Sequence, residues 1–147
     1  MYRVLIPVDD NEERAEKQID TIGNIPSVDE PIEAHVVYVY EEIETPGEGG
    51  GFATGYLDDI NESLDELRDP PETVNDVAEA LSDRGIDTEI HELVGDPAEA
   101  ILTASRELDV NMLLMGVRDR SPIGKVVFGS VSQKVILGSE VPVLVAR

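Results

Sequence analysis

Gly116-Val-Arg-Asp-Arg-Ser-Pro-Ile-Gly-Lys-Val-Val-Phe-Gly-Ser130 separates a short apolar run from a helix-like segment, and its reading decides how the rest of the chain is organised. A glycine-rich turn between a strand and a helix offers free backbone N–H groups and a helix N-terminus, the arrangement with which α/β folds hold phosphate. The charge agrees. Residues 110–139 carry Arg118, Arg120, Lys125 and Lys134 against Asp119 alone, inside a chain whose net charge is −21. The segment therefore reads as an anion cradle; the competing reading is a plain strand-to-helix turn with solvated charges.

Outward from that loop, Met112–Met115 is an apolar run of the kind a strand buried on both faces requires. Ser130–Leu137 reads as a helix capped by Ser130, and Val141–Ala146 as a final strand with Pro142 near its start, an edge or entry position. Toward the N-terminus, Tyr2–Pro7 and Ile32–Tyr40 are β-rich, and between them Asn11–Ile22 places Ala15, Ile19 and Ile22 on one helical face. Residues 72–85 repeat the helical pattern with Val74, Val77, Ala78 and Leu81, and Gly85 sits where a helix end favours a left-handed residue. Ile86–Val94 alternates as a strand, and Pro97 opens a helix whose inner face is Ile101, Leu102, Ala104, Ser105 and Leu108. Strands alternating with helices predict an open five-stranded parallel sheet with helices on both faces, a Rossmann-like α/β fold. At 147 residues the whole chain, 1–147, is expected to form one domain. Residues 41–71 interrupt the rhythm with Gly47-Glu-Gly-Gly-Gly51, a short helical stretch at Tyr56–Leu67 and Pro70-Pro71, and are expected to run as a surface excursion.

Composition narrows the function classes. The chain has 32 acidic and 11 basic residues, so phosphate backbones would be repelled and nucleic acid is not an expected partner. The acidic residues are spread through 9–109 rather than gathered in a tail, which favours solvation at high ionic strength over docking of a basic partner and points to a halophilic source. No apolar run reaches the ~20 residues of a membrane span, and the apolar N-terminal stretch is too short for a secretory signal, so a cytoplasmic protein without membrane association is expected. With no cysteine, thiolate metal sites and cysteine nucleophiles are excluded.

In open parallel sheets, ligands bind beyond the carboxyl ends of the strands where the strand order switches. Three segments should converge there: Pro7-Val-Asp9-Asp10, Val37–Glu41, and Met115-Gly116 with the basic loop. The loop after the first strand carries Asp9, Asp10, Glu12 and Glu13 and no glycine, which leaves phosphate to the loop after the fourth. Asp9 can then accept hydrogen bonds from a ribose hydroxyl or a base, with Val8 and Val39 lining an apolar slot.

This arrangement resembles the universal stress protein family, whose nucleotide-binding members carry Gly-x2-Gly-x9-Gly-(Ser/Thr) after the fourth strand. Gly116, position 119, Gly129 and Ser130 fall on that spacing, and the initial Ile-Pro-Val-Asp, Val39 in Val-Tyr-Val, Gly95-Asp-Pro97 and Val141-Pro-Val-Leu-Val145 extend the likeness over the whole chain. The resemblance implies the adenine nucleotide alpha hydrolase-like version of the fold and a site for ATP or a related adenine nucleotide, with Mg²⁺ carried by the nucleotide. Pro7, Val8, Asp9 and Val39 would contact base and ribose; Met115, Gly116, Arg118, Gly129, Ser130, Val131 and Ser132 would lie along ribose and phosphates. It also implies a homodimer formed through the last strand, where Val141, Val143 and Val145 alternate with Pro142, Leu144 and Ala146 and leave both faces apolar on an edge that invites pairing.

Asp119 departs from the family pattern by standing where the second glycine is found. Aspartate tolerates a left-handed turn, but a carboxylate ~4 Å from a phosphate costs about 1 kcal/mol in water-like surroundings and about 4 near a protein surface. Arg118 and Arg120 can offset it, Lys125 adds a further phosphate contact, and Gly124 supplies another flexible point. Two functions follow from the resemblance: a regulatory protein acting through nucleotide-bound and free states, or a stress or scaffold dimer that binds no nucleotide and acts through protein partners. Asp9-Asp10 also suits a phospho-receiver pocket, yet the aspartate after the third strand stands in Val94-Gly-Asp96-Pro97, a helix-cap pattern, and the fifth strand runs nearly to the C-terminus with no lysine after it. No Ser-His-Asp set or nucleophile elbow is present, so no catalytic residue is expected and ATP hydrolysis would be slow at most. His35 and His91 lie on different strands without a helical-spacing partner, so they read as satisfied sheet positions and not as metal ligands.

Overall fold

The computed structural model describes residues 1–25, 30–41, 70–117 and 129–146. They form β1 (Tyr2–Pro7), α1 (Glu12–Gly23), β2 (Ile32–Tyr40), α2 (Glu72–Asp83), β3 (Asp87–Val94), α3 (Pro97–Glu107), β4 (Met112–Gly116), α4 (Ser130–Gly138) and β5 (Val143–Ala146). The strands make one parallel sheet in the order β3-β2-β1-β4-β5. The Gly47–Gly51 run and the Tyr56–Leu67 stretch lie outside the described residues.

Each element starts and stops for a local reason. Asn11 caps α1 by accepting the Arg14 N–H at 3.0 Å, and Asp96 caps α3 by accepting the Glu99 N–H at 3.1 Å, with Pro97 in the first turn. α2 ends on Gly85 at φ +79°; the Gly85 N–H reaches the Ser82 carbonyl and the Ile86 N–H the Leu81 carbonyl, the paired bonds of a Schellman stop. α3 ends the same way on Asp109 at φ 51°, a position aspartate tolerates. At α4 the expectation is corrected by one residue. Gly129 is the cap and Ser130 the first helical residue, so the cap residue has no side chain to offer that helix's opening N–H groups.

Strand alternation divides the core in two. Val4, Ile6, Ala34, Val36 and Leu114 face α1 and α2, where they meet Ala15, Ile22, Val74, Val77 and Leu81. Leu5, Val37, Leu113 and Met115 face α3 and α4, where they meet Ala98, Ile101, Ala104 and Val135. β1 is central and its Val4, Leu5 and Ile6 are buried from both sides, as its unbroken apolar run requires. β3 and β5 are the edges; Ile90 and Val94 of β3 remain exposed. No helix among the described residues is long and apolar enough to cross a membrane.

Candidate functional site

The chain runs from β1 outward through β2 to β3, then crosses to the other side of β1 to make β4 and β5. That reversal puts the switch point between β1 and β4, the crevice in which such sheets receive ligands. The two strands are paired only at Val4↔Met112 and Leu5↔Leu113. Beyond that register Gln18, a buried residue of α1, bridges them: its amide Nε2 donates to the Pro7 carbonyl at 2.7 Å and to the Leu114 carbonyl at 3.2 Å. Gln18 occupies a position in the inner face of α1 between Ala15 and Ile22, and a polar residue in an apolar stripe is the signal that could have identified it.

Asp9 lies at the end of β1, as expected, but its carboxylate is already engaged. Oδ1 accepts the Asn11 N–H at 3.0 Å and Oδ2 pairs with Arg14 Nη2 at 2.7 Å, while the Asp9 carbonyl accepts the Thr73 hydroxyl. The Arg14 side chain is only 17% exposed, and its buried Nε has no hydrogen-bond partner. Arg14 was not anticipated; it is the one cation among the five charged residues of the segment 9–14 and it lies against the end of β4. A Cβ on Gly116 would stand 3.2 Å from Arg14 Cβ and 3.3 Å from Gln18 Cδ, so glycine here permits the close approach of α1 to β4.

Val39, Met115 and Val131 belong to the apolar cluster beneath α3 and α4, whereas Val8 belongs to the opposite cluster and spends its N–H on the Val37 carbonyl. The slot expected from Val8 and Val39 together is therefore divided by the sheet. On the β2 side the field is acidic: burial, then Asp10, Asp9 and Glu41, push the Tyr38 hydroxyl above its ordinary range. An anion is disfavoured there. After β4 the next described element, α4, begins at Gly129 and Ser130, both exposed, with Ser132 half-buried. Among the described residues a Cβ on Gly129 would meet nothing within 4 Å, and its φ of −64° suits any residue, so neither a described neighbour nor backbone conformation demands glycine at this helix start. Arg118, Asp119, Arg120, Gly124 and Lys125 lie outside the described residues.

His35 and His91 have partners after all. Strand pairing sets His35 opposite Glu89 and Val37 opposite His91, which places both rings and Glu89 on one face. His35 Nδ1 is 2.9 Å from His91 Nε2, and His35 Nε2 is 2.6 Å from Glu33 Oε1. Burial holds His91 below the ordinary imidazole range, with Glu89 opposing that shift and His35 adding to it.

A family model described as "Universal stress protein family" matches residues 1–147. A universal stress protein of Mycolicibacterium smegmatis is 41% identical over 75 residues, 50% of this chain and 58% of that protein; the chain spans about half the length of the curated relatives it matches first. Among solved structures, a universal stress protein from Archaeoglobus fulgidus superposes with a TM-score of 0.64 at 26% identity, over 100% of this chain and 99% of that one. Another from Archaeoglobus fulgidus, solved in complex with dAMP, gives a TM-score of 0.57 at 21% identity over 100% and 98% of the two chains. With the parallel sheet, the β1/β4 crevice and a match over its full length, this chain belongs to the universal stress protein family.

Proposed function

We propose that this protein binds an adenine nucleotide, ATP or a close relative, between the ends of β1, β2 and β4, and acts through its bound and free states rather than through turnover. The observation that carries the reading is the start of α4. A helix N-terminus with no side-chain cap among the described residues, following β4 in the chain and opened by a glycine that no described neighbour requires, is a place where phosphate oxygens can take the free N–H groups. Ser130 and Ser132 add hydroxyl donors, and Gly116, Arg118, Arg120, Gly124 and Lys125 complete the phosphate side, with Mg²⁺ offsetting Asp119. Pro7, Val39, Met115 and Val131 offer apolar contact to base and ribose, and Val8 supports the end of β1 from beneath. Asp9 accepts from a ribose hydroxyl or base nitrogen by sharing its carboxylate between the ligand and Arg14. The dAMP complex of an Archaeoglobus fulgidus relative supports this choice of ligand class.

The protein acts as a homodimer joined through β5, the half-buried apolar edge strand next to β4, and its acidic surface suits a concentrated salt environment. The specific observation on the other side is the Asp9–Arg14 pair: a site whose carboxylate is already neutralised fits a dimer that signals through protein partners without nucleotide. Titration calorimetry with Mg²⁺ and ATP in molar KCl tests the proposal. Saturable heat below millimolar ligand is expected, and its absence at millimolar ATP, ADP and AMP alike would leave the partner-binding reading.

A further inference from the structure

The chain contains two histidines, 56 residues apart, and both end on the same spot of the sheet. They lie near the middle of β2 and β3, where His91 is level with Val37, short of the strand ends that form the crevice. His35 Nδ1, His91 Nε2 and Glu89 Oε2 are separated by 2.9, 3.8 and 4.0 Å. In the absence of a metal the 2.9 Å contact is a hydrogen bond, His91 Nε2–H donating to His35 Nδ1, and a cation would take the place of that one proton with Glu89 Oε2 beside it. A tetrahedral metal with bonds of about 2.0–2.1 Å holds its donors roughly 3.3 Å apart. The two rings would open by a few tenths of an ångström to reach that spacing, and Glu89, 66% exposed, would close by somewhat more.

The surrounding groups prepare one ring for ligation. His35 Nε2 donates to Glu33 Oε1 at 2.6 Å, which fixes the proton on Nε2 and leaves the Nδ1 lone pair directed at the cluster. Glu33 is itself steadied by Arg3 Nε at 3.7 Å. Two carboxylates against one guanidinium leave the pocket net negative, and His35, only 4% exposed, cannot swing out into water. His91 and Glu89 sit on the edge strand, which gives an ion a route of entry and leaves a fourth position for water.

From this juxtaposition we propose that His35, His91 and Glu89 form a binding site for a divalent transition metal of the Zn²⁺ type, separate from the nucleotide crevice. Two imidazoles and one carboxylate select such ions over Mg²⁺ and Ca²⁺, which take oxygen ligands. The ion would tie β3 to β2 at the sheet edge.

The test uses the full chain, stripped with chelator and labelled with ¹⁵N in histidine, in buffer with excess Mg²⁺ to occupy the acidic surface. Because only two imidazoles exist, each ring nitrogen can be followed. One equivalent of Zn²⁺ should move the His35 Nδ1 and His91 Nε2 resonances together to metal-bound positions, while His35 Nε2 keeps its proton. His91→Gln and Glu89→Gln should each weaken Zn²⁺ binding at least tenfold in equilibrium dialysis, and Glu33→Gln, which leaves all three ligands in place, should also weaken it about tenfold. Ring nitrogens that respond to pH but not to Zn²⁺ would show that a proton alone joins the pair and would overturn the proposal. Zn²⁺ affinity equal in wild type and in folded His91→Gln would overturn it as well.

Discussion

Gln18 donates from one amide nitrogen to the Pro7 and Leu114 carbonyls, at the place where β1 and β4 part. Gln18→Met keeps the volume and removes both bonds, leaving two buried carbonyls without that partner. A loss of about 1–3 kcal/mol is expected, read as a lower denaturant midpoint with an unchanged slope. At this scale the sequence was informative wherever a residue acts on its own backbone neighbourhood: Gly85 and Asp96-Pro97 each occupy the role expected of them, because cap and stop chemistry is decided within a few residues. Residues that act across the sheet were not legible. Arg14 reads as one charge among several until α1 is laid against β4, and the meeting of His35 with His91 depends on a strand register that no local pattern encodes.

Among the elements, α2 stops where it does because Gly85 takes a left-handed conformation, and an added Cβ would touch nothing within 4 Å. Gly85→Ala should therefore cost about 1 kcal/mol through backbone conformation alone, without repacking, and lower the melting temperature by a few degrees. β5 carries the prediction about assembly. It is an edge strand, with Val143 packed toward α3 and α4 and Leu144 toward the opposite layer. If copies pair through this edge, Val143→Lys should give a folded monomer by light scattering in molar KCl; a folded variant that remains dimeric would place the interface elsewhere. Order and type of the elements were readable because the apolar periods of strands and helices differ, and the bounds moved by only one or two residues, as at Asp87, Gly116 and Val143. The division of Val8 from Val39 was missed for a related reason: a strand alternates faces, and which face each residue takes follows from the pairing of β1 with β2.

The whole molecule carries 32 acidic and 11 basic residues, and its self-repulsion is set by ionic strength. The Debye length grows from about 3 Å at 1 M to about 30 Å at 0.01 M, so the folded state should lose stability as salt is withdrawn. Thermal unfolding followed by circular dichroism should show a melting temperature that falls between about 2 M and 0.05 M KCl, and an unchanged value would contradict this account of the charge. Fold class was legible at this scale because alternating strands and helices admit few arrangements, whereas the position of the crevice needed the observed order β3-β2-β1-β4-β5.

The central claim is that phosphate sits at the start of α4. Ser130→Glu is exposed and places a carboxylate in the first turn, where the helix dipole favours it, so the variant should fold. The same carboxylate would repel phosphate. Wild type and Ser130→Glu titrated side by side with Mg²⁺ and ATP in molar KCl give the most direct measurement. Saturable binding by the wild type, at least tenfold weaker in the variant, is the predicted result; equal affinity in the two would contradict the placement of the phosphates at α4.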